Sequence, residues 1–306
     1  MTGDRITIDA QPRRLGGSGI FVSPIAWGMW RFRGDDVAHA RSLVEAALEA
    51  GLTLFDTADV YGPDNGEPFG AAETLLGRVF AEAPGLRDRI TLATKGGIVL
   101  GVPYDSSGSY VEAAIDASLR RLRTDRIDLW QIHRADLLAH PHETVNAVER
   151  AYVRGKVHAF GVSNMTPAQV RAFRAVLPRD LPLSTIQPEF SPLAVAPLTD
   201  GTLDQAIELK LGVLAWSPLG GGRIAAPSDA REAAVAAALD TVAHAAGVSR
   251  SAAALSWVMA HPSRPIPIVG SQTPERIAQS VDALRVEWTR ADWYRVLVAA
   301  RGEPLP

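Results

Sequence analysis

Eight times along the chain a short apolar run gives way to a longer segment of helical period, and this alternation restricts the fold more than any other feature. The strand patterns lie at 25–30, 52–56, 90–95, 127–133, 157–162, 183–187, 212–216 and 266–269. Helical patterns fall between and after them at 37–50, 71–80, 109–123, 143–154, 167–176, 201–209 and 274–284. Two more, 231–246 and 249–260, both lie between the seventh and eighth strands, and 290–300 closes the chain. Strict β–α alternation predicts a parallel sheet with helices outside it, and eight units in about 280 residues suit a closed (β/α)8 barrel better than an open sheet. An open, doubly wound sheet usually places a glycine-rich phosphate turn straight after its first strand, and no G-x-G-x-x-G stands there. Gly16, Gly17 and Gly19 come nearest, but they sit between an arginine-rich segment and Ile20-Phe21-Val22, which reads as a β-hairpin across the barrel floor. With no linker or low-complexity stretch to break the pattern, the expectation is one barrel domain over residues 1–306.

In such a barrel the chemistry belongs at the C-terminal ends of the strands, where eight loops converge on a rigid frame. The polar residues ending the predicted strands are therefore the candidates. Asp56, Lys95 and His133 end three consecutive ones, 39 and 38 residues apart, and Tyr61 lies in the loop beyond Asp56. Ser163, Asn164, Gln187, Trp216, Ser217, Gly270 and Ser271 end later strands. Reduction of a carbonyl by hydride leaves negative charge on oxygen, which needs a proton. A phenol can give it, but only with help from its surroundings, because its ordinary pKa is about 10. Tyr61 reads as that acid, Lys95 as the ammonium that lowers its pKa, Asp56 as the partner of Lys95, and His133 as the group that orients the carbonyl. The chain has no cysteine, which removes disulfides, thiolate metal sites and cysteine nucleophiles. Its net charge of −3 gives no reason to expect nucleic acid or an anionic membrane. Nothing near residue 1 resembles a signal peptide and no stretch approaches a membrane span, so a cytoplasmic location is expected.

The segments FDTADVYG (55–62), TKGG (94–97), GKVHAFGVSN (155–164), LAWSPLGGGR (214–223) and IPIVGSQTPERI (266–277), in this order, resemble the aldo-keto reductase superfamily over nearly the whole chain. The likeness is to bacterial members carrying I-H-R-P-D and W-S-x-L-G-G-G-R. It implies reversible reduction of an aldehyde or ketone with a nicotinamide cofactor stretched across the barrel mouth. Carried onto this sequence, it places Gly28, Met29, Trp30 and Asp56 beside the reacting ring. Ser163, Asn164 and Gln187 would hold the carboxamide, and Trp216 would stack on the nicotinamide in place of a more usual tyrosine. Ser217, Pro218, Leu219, Gly220, Gly221 and Gly222 would wrap the pyrophosphate, and Gly270, Ser271, Arg276, Gln279 and Ser280 the adenosine end. Arg276 favours NADPH over NADH as the 2′-phosphate clamp.

The sequence departs from the family in places. Arg134-Ala135-Asp136 replaces Arg-Pro-Asp, Gln279 and Ser280 stand for a Glu and Asn that contact adenine in many relatives, and Gly270 stands for a lysine that some NADPH-selective members use. Trp30, Tyr61, His133 and Tyr104 are the candidates for lining a substrate pocket, whereas Trp27 reads as core. His140 and His142 flank Pro141 at a helix start and read as a surface turn, so no metal is expected. The short stretch after the last helix, ending at Pro306, suggests an open site or one completed by a neighbouring subunit. The expected partner is a small carbonyl compound, with the protein a monomer or small homo-oligomer. The competing reading is a cofactor-sensing subunit of the potassium-channel β-subunit type, which shares the superfamily's fold.

Overall fold

The structure is a computed structural model and describes residues 5–306. Eight parallel strands close into a barrel: β4 (Ala26–Gly28), β5 (Leu54–Asp56), β6 (Thr91–Gly96), β7 (Leu129–Ile132), β8 (Phe160–Ser163), β9 (Leu183–Gln187), β10 (Gly212–Ala215) and β11 (Ile266–Val269). The circle is completed where β10 pairs with both β9 and β11, and β11 with β4. Helices α1 (Val37–Glu49), α2 (Ala71–Glu82), α3 (Gly108–Leu122), α4 (Pro141–Val153), α5 (Pro167–Val176) and α6 (Thr202–Leu209) follow β4 to β9 in turn. As expected, two helices, α7 (Ala230–Ala246) and α8 (Arg250–Met259), separate β10 from β11. After β11 come α9 (Pro274–Gln279) and a 3-10 turn (Ser280–Arg285), so the predicted single helix over 274–284 tightens at Ser280. The chain closes with α10 (Arg290–Arg301).

The period of two along each strand explains what fills the barrel. Ala26, Leu54, Ala93, Leu129, Ala159, Leu214, Ile266 and Ile268 form one buried inner cluster. The residues between them, including Trp27, Phe55, Leu92, Trp130 and Phe160, pack outward against the helices. Two positions beyond that apolar layer the inward residues become polar, among them Asp56, Lys95, Gln131 and Gln187, all at most 2% exposed. An alternation readable in sequence thus sets the charged groups one layer above a hydrophobic plug, at the C-terminal mouth.

The predicted hairpin is present. Strand β2 (Arg13–Arg14) pairs antiparallel with β3 (Phe21–Val22), and Leu15 from its turn enters the inner apolar cluster from the floor. A second small sheet was not predicted: β1 (Arg5–Thr7) pairs with β12 (Glu287–Thr289), tying the start of the chain to its end. Each partner has three residues, like β4 and β5, but neither stands in the repeated β–α unit that marks those two in the sequence. Helix starts follow ordinary capping, as at Asp36, Ser107, Asp229 and Ser249, and α5 carries a full capping box between Thr166 and Gln169. The paired histidines serve the same purpose, since His140 Nδ1 accepts the His142 backbone N–H at the start of α4. No helix among the described residues is long and apolar enough to cross a membrane.

Candidate active site

Adjacent strands bring Asp56 and Lys95 together. The Lys95 ammonium donates to Asp56 Oδ2 at 2.6 Å and to the Thr57 carbonyl at 2.7 Å, and its side chain is fully buried. Burial pulls its pKa down, but the charge of Asp56 and the nearby Tyr61 outweigh that, so it lies above its ordinary value and the ammonium persists. The other oxygen of Asp56 accepts the Gln187 side-chain amide at 2.9 Å from across the barrel. The carboxylate is thereby pinned from two sides.

Tyr61 stands half-buried above this pair, with the Lys95 ammonium 5.0 Å from its ring centroid. His133 meets the same ring edge to face, the centroids 5.9 Å apart. The chain can turn here because Gly62 has no side chain; a Cβ would lie 1.9 Å from the Pro68 carbonyl oxygen. The sequence argument expected Lys95 to leave the phenol with a lowered pKa. Burial is the larger effect and pushes it up, with Lys95 opposing. Burial, then the charges of Lys95 and Arg134, hold the His133 pKa well below its ordinary value, so the imidazole is neutral at neutral pH. The arrangement is a protonated phenol beside a fixed ammonium and a neutral imidazole, a proton donor facing a place where negative charge can develop.

Around the rim, the residues expected to hold a carboxamide are bonded into one network. Ser163 Oγ donates to the Gln187 carbonyl at 2.8 Å, and Asn164 Nδ2 to Ser163 Oγ at 2.8 Å and the His133 carbonyl at 3.1 Å. Asn164 adopts a left-handed backbone, which asparagine tolerates better than most residues, and its Oδ1 accepts the Trp216 indole N–H at 2.9 Å. Trp216 is therefore held at the mouth, with the Arg134 guanidinium 5.9 Å from its ring centroid. Beyond it Ser217, Gly220, Gly221 and Gly222 all take positive φ, and beside Gly221 and Gly222 the space is open. Leu219 and Pro218 complete that turn, in which Gly220 N–H donates to the Ser217 carbonyl and Gly222 N–H to that of Leu219. On β4, Gly28 leaves room inside the barrel for Ile268, whose side chain would lie 2.6 Å from a Cβ there.

Two of the residues expected to touch the cofactor have buried side chains. Met29 is wholly buried in the outer core with Trp27, Phe32 and Phe55, because β4 ends at Gly28 and the chain tucks its next side chain under the rim. Only its backbone can face the mouth. Ser280 is buried as well, its hydroxyl donating back to the Ile277 carbonyl at 2.6 Å as the helix tightens. Trp30, by contrast, is at the rim and 40% exposed, its indole N–H on Asp64 and its carbonyl accepting from Asn65. Tyr104 belongs to a loop that folds on itself through the Ile98–Tyr104 bridge, and no hydrogen bond or ring contact among the described residues joins it to Tyr61 or His133. Ser271 accepts the Thr273 N–H and offers its carbonyl to Trp27, while Arg276 and Gln279 are exposed on α9. Trp27 is core, as read from the sequence.

Residues 24–297 match the Aldo/keto reductase family. The chain belongs to that family. This aldo/keto reductase is 57% identical to a 6-dehydroglucose reductase of Novosphingobium aromaticivorans, over 96% of this chain and 97% of the relative. It is 36% identical to a 6-dehydroglucose reductase of Agrobacterium fabrum, covering 92% and 95% of the two chains. Its fold is similar to that of a thermostable aldo-keto reductase, Tm1743, with a TM-score of 0.80 over 94% of this chain and 99% of the other at 20% identity. Family membership makes the protein an oxidoreductase acting on carbonyls, of a kind that generally uses nicotinamide cofactors. No group of His, Asp and Glu among the described residues is arranged to hold a metal ion.

Three residues at this aldo/keto reductase's mouth make contacts that the sequence argument did not read. Gln187 was assigned to a ligand, yet its amide steadies Asp56. Arg134 was read only as part of a loop motif, yet its charge acts on both Tyr61 and His133. Asp136, in the same motif, accepts the Ser106 and Leu138 N–H groups and ties two rim loops together. The only available signal was that Arg134 and Asp136 directly follow a strand end.

Proposed function

We propose that this protein is an NADPH-dependent reductase of a sugar-derived aldehyde, 6-dehydroglucose or a close analogue, with Tyr61 as the proton donor. The observation that carries the proposal is the phenol of Tyr61 set among a buried, charged Lys95 and a neutral His133 at the open end of the barrel. When bound, the reduced nicotinamide supplies the hydride that reaches the carbonyl carbon. His133, neutral, can donate a hydrogen bond from its ring N–H to the carbonyl oxygen without placing a second full charge beside Lys95. Tyr61 then passes its proton to that oxygen, and the ammonium of Lys95 stabilises the phenolate left behind. Asp56, held by Gln187, keeps Lys95 in position through this exchange.

The residues present fit the cofactor. Glycines at 221 and 222 leave backbone open to close approach, and Arg276 is exposed and makes no hydrogen bond or ion pair among the described residues. Trp216, Asn164, Ser163 and Gln187 would hold the nicotinamide end, Ser217, Pro218, Leu219 and Gly220 to Gly222 the pyrophosphate, and Ser271, Arg276 and Gln279 the adenosine end. Arg134, half-buried beside Trp216, gives the mouth a hydrogen-bond donor suited to a hydroxylated substrate. Support for the substrate class comes from the names of the 57% and 36% identical relatives.

The test is NADPH consumption with 6-dehydroglucose and a panel of unrelated aldehydes and ketones, with NADH run in parallel. Preferred turnover of the sugar aldehyde with NADPH is the expected result. Equal turnover of simple aliphatic aldehydes would remove the substrate assignment, and equal use of NADH would remove the 2′-phosphate clamp.

A further inference from the structure

The loop that leaves β4 carries a guanidinium with no hydrogen-bond or ion-pair partner among the described residues. Arg31 is exposed, lies over the Trp30 ring with its Cζ 4.6 Å from the centroid, and makes no hydrogen bond or ion pair among the described residues. Its Nη1 lies 3.6 Å from where a Cβ of Gly270 would be. The side chain thus reaches from the end of the first barrel strand across to the end of the last, over a position that contributes no side chain of its own. Trp30 is itself fixed, its indole N–H on Asp64 at 3.3 Å and its carbonyl accepting from Asn65 at 2.6 Å. A cation stacked on an immobilised ring gives up little further freedom when it binds an anion.

The neighbourhood fits an anion. Gly270 leads into Ser271, and α9, which carries the exposed and unpartnered Arg276, begins at Pro274. Two guanidiniums without acidic partners therefore stand at the C-terminal edge of one strand, on separate elements. A guanidinium presents a planar fork of donors that matches phosphate oxygens in pairs.

The geometry points to Arg31 as a phosphate-binding residue for the dinucleotide, acting together with Arg276 and giving the site a second cation from the opposite side of the barrel closure. This rests on the cofactor reading made above. The phosphate is either the adenosine 2′-phosphate or the pyrophosphate, which carry the same chemistry.

Calorimetric titration of NADPH and of NADH into the wild-type protein and the Arg31→Met and Arg31→Lys variants separates the possibilities. Methionine keeps an apolar stem over Trp30 without the charge, and lysine keeps the charge without the fork. Arg31→Met is expected to weaken NADPH at least tenfold, with Arg31→Lys in between and the melting temperature unchanged, since the side chain is exposed. Loss confined to NADPH assigns the 2′-phosphate, and equal loss for both dinucleotides assigns the pyrophosphate. Wild-type affinity for both in Arg31→Met would overturn the inference while leaving the cofactor reading intact. If the wild-type protein bound neither dinucleotide, that reading would fail and this one with it.

Discussion

Asp59 lies two residues before Tyr61 and is wholly buried, its Oδ1 without a hydrogen-bond partner and its Oδ2 3.4 Å from the Tyr110 hydroxyl. Burial first, and then the charge of Glu73, raise its pKa to about 8 against the pull of Arg121. The folded protein therefore holds a proton that the unfolded chain releases at about pH 4. For a carboxyl with a raised folded pKa, this contribution is complete below the unfolded value and is lost as pH rises to about 8, at up to about 1.4 kcal/mol per pH unit. Asp59→Asn should remove that slope, so denaturant midpoints measured from about pH 6.5 to 8, above the range in which His133 contributes, should fall with pH in the wild type and not in the variant; parallel curves would disprove a buried acid here. His133 works in the opposite direction. Its folded pKa is depressed by burial and by Lys95 and Arg134, so the unfolded chain takes up a proton below about pH 6.5 that the fold refuses, and stability falls as pH drops through that value. Replacing His133 with Gln should soften that acid-side loss. For the proposed chemistry, in which Tyr61 is the proton donor, Tyr61→Phe removes that hydroxyl and leaves the Lys95–Asp56 pair untouched. Steady-state kinetics should then show kcat lower by about 10²–10⁴, with cofactor affinity from fluorescence titration little changed. Wild-type turnover in that variant would end the case for Tyr61 as the acid.

Helices α8 and α10 are joined by a reciprocal contact that is unusual in its symmetry. Trp257 and Trp293 stack with centroids 4.8 Å apart, each indole N–H donating to the other residue's backbone carbonyl, at 3.0 and 3.1 Å. Trp288 adds a bond to Ser256 from β12. Trp293→Ala should cost about 3–5 kcal/mol, as for a large buried aromatic. Trp293→Phe, which keeps a ring but loses the bond to the Trp257 carbonyl, should cost less, and chemical denaturation of the pair distinguishes packing from hydrogen bonding. Elements of this kind mark the limit of what the sequence makes legible. Barrel strands were readable, even the three-residue β4 and β5, because each recurs ahead of a helical segment in a repeated β–α unit, and Asp56 and Lys95 fell on their inward phase. The β1–β12 pair was not, since Arg5 and Thr289 meet across almost the full length of the chain, a contact that local pattern cannot express. The same is true within the site. The order of motifs pointed to Tyr61 and its neighbours, but that the Met29 side chain is buried behind the end of β4, and the Ser280 hydroxyl turned back where α9 tightens, depends on packing that local pattern does not carry. Gln187 and Arg31 gained their importance only once strands distant in sequence were closed into a ring.

Across the whole molecule, the barrel separates its functions along its axis. At the mouth, polar side chains are held by one another: Lys95 by Asp56, Asp56 by Gln187, and Trp216 by Asn164. At the other end the interior holds an apolar cluster, with Leu15 from the β2–β3 hairpin as the plug beneath Leu54, Ala93, Leu129 and Leu214. Between the two, Gly161 has no side chain because Thr185 and Gln131 occupy the space, with a Cβ falling 1.9 Å from the Thr185 hydroxyl oxygen. Changes at the floor should therefore move stability and leave the chemistry alone, whereas changes at the rim should do the reverse. Leu15→Ala is the direct test. Its side chain is fully buried, so truncation removes apolar contact and leaves a void that the closed ring of strands can only partly collapse; a loss of about 2–5 kcal/mol is expected. The catalytic groups are joined to the floor by rigid strands that end in the Lys95–Asp56–Gln187 network, so kcat measured well below the unfolding transition should stay within about twofold of wild type, a margin under about 0.5 kcal/mol in the barrier. A fall in kcat matching the fall in stability would mean that the mouth is held in shape by the plug, and that the polar network alone does not fix the geometry on which Tyr61 depends.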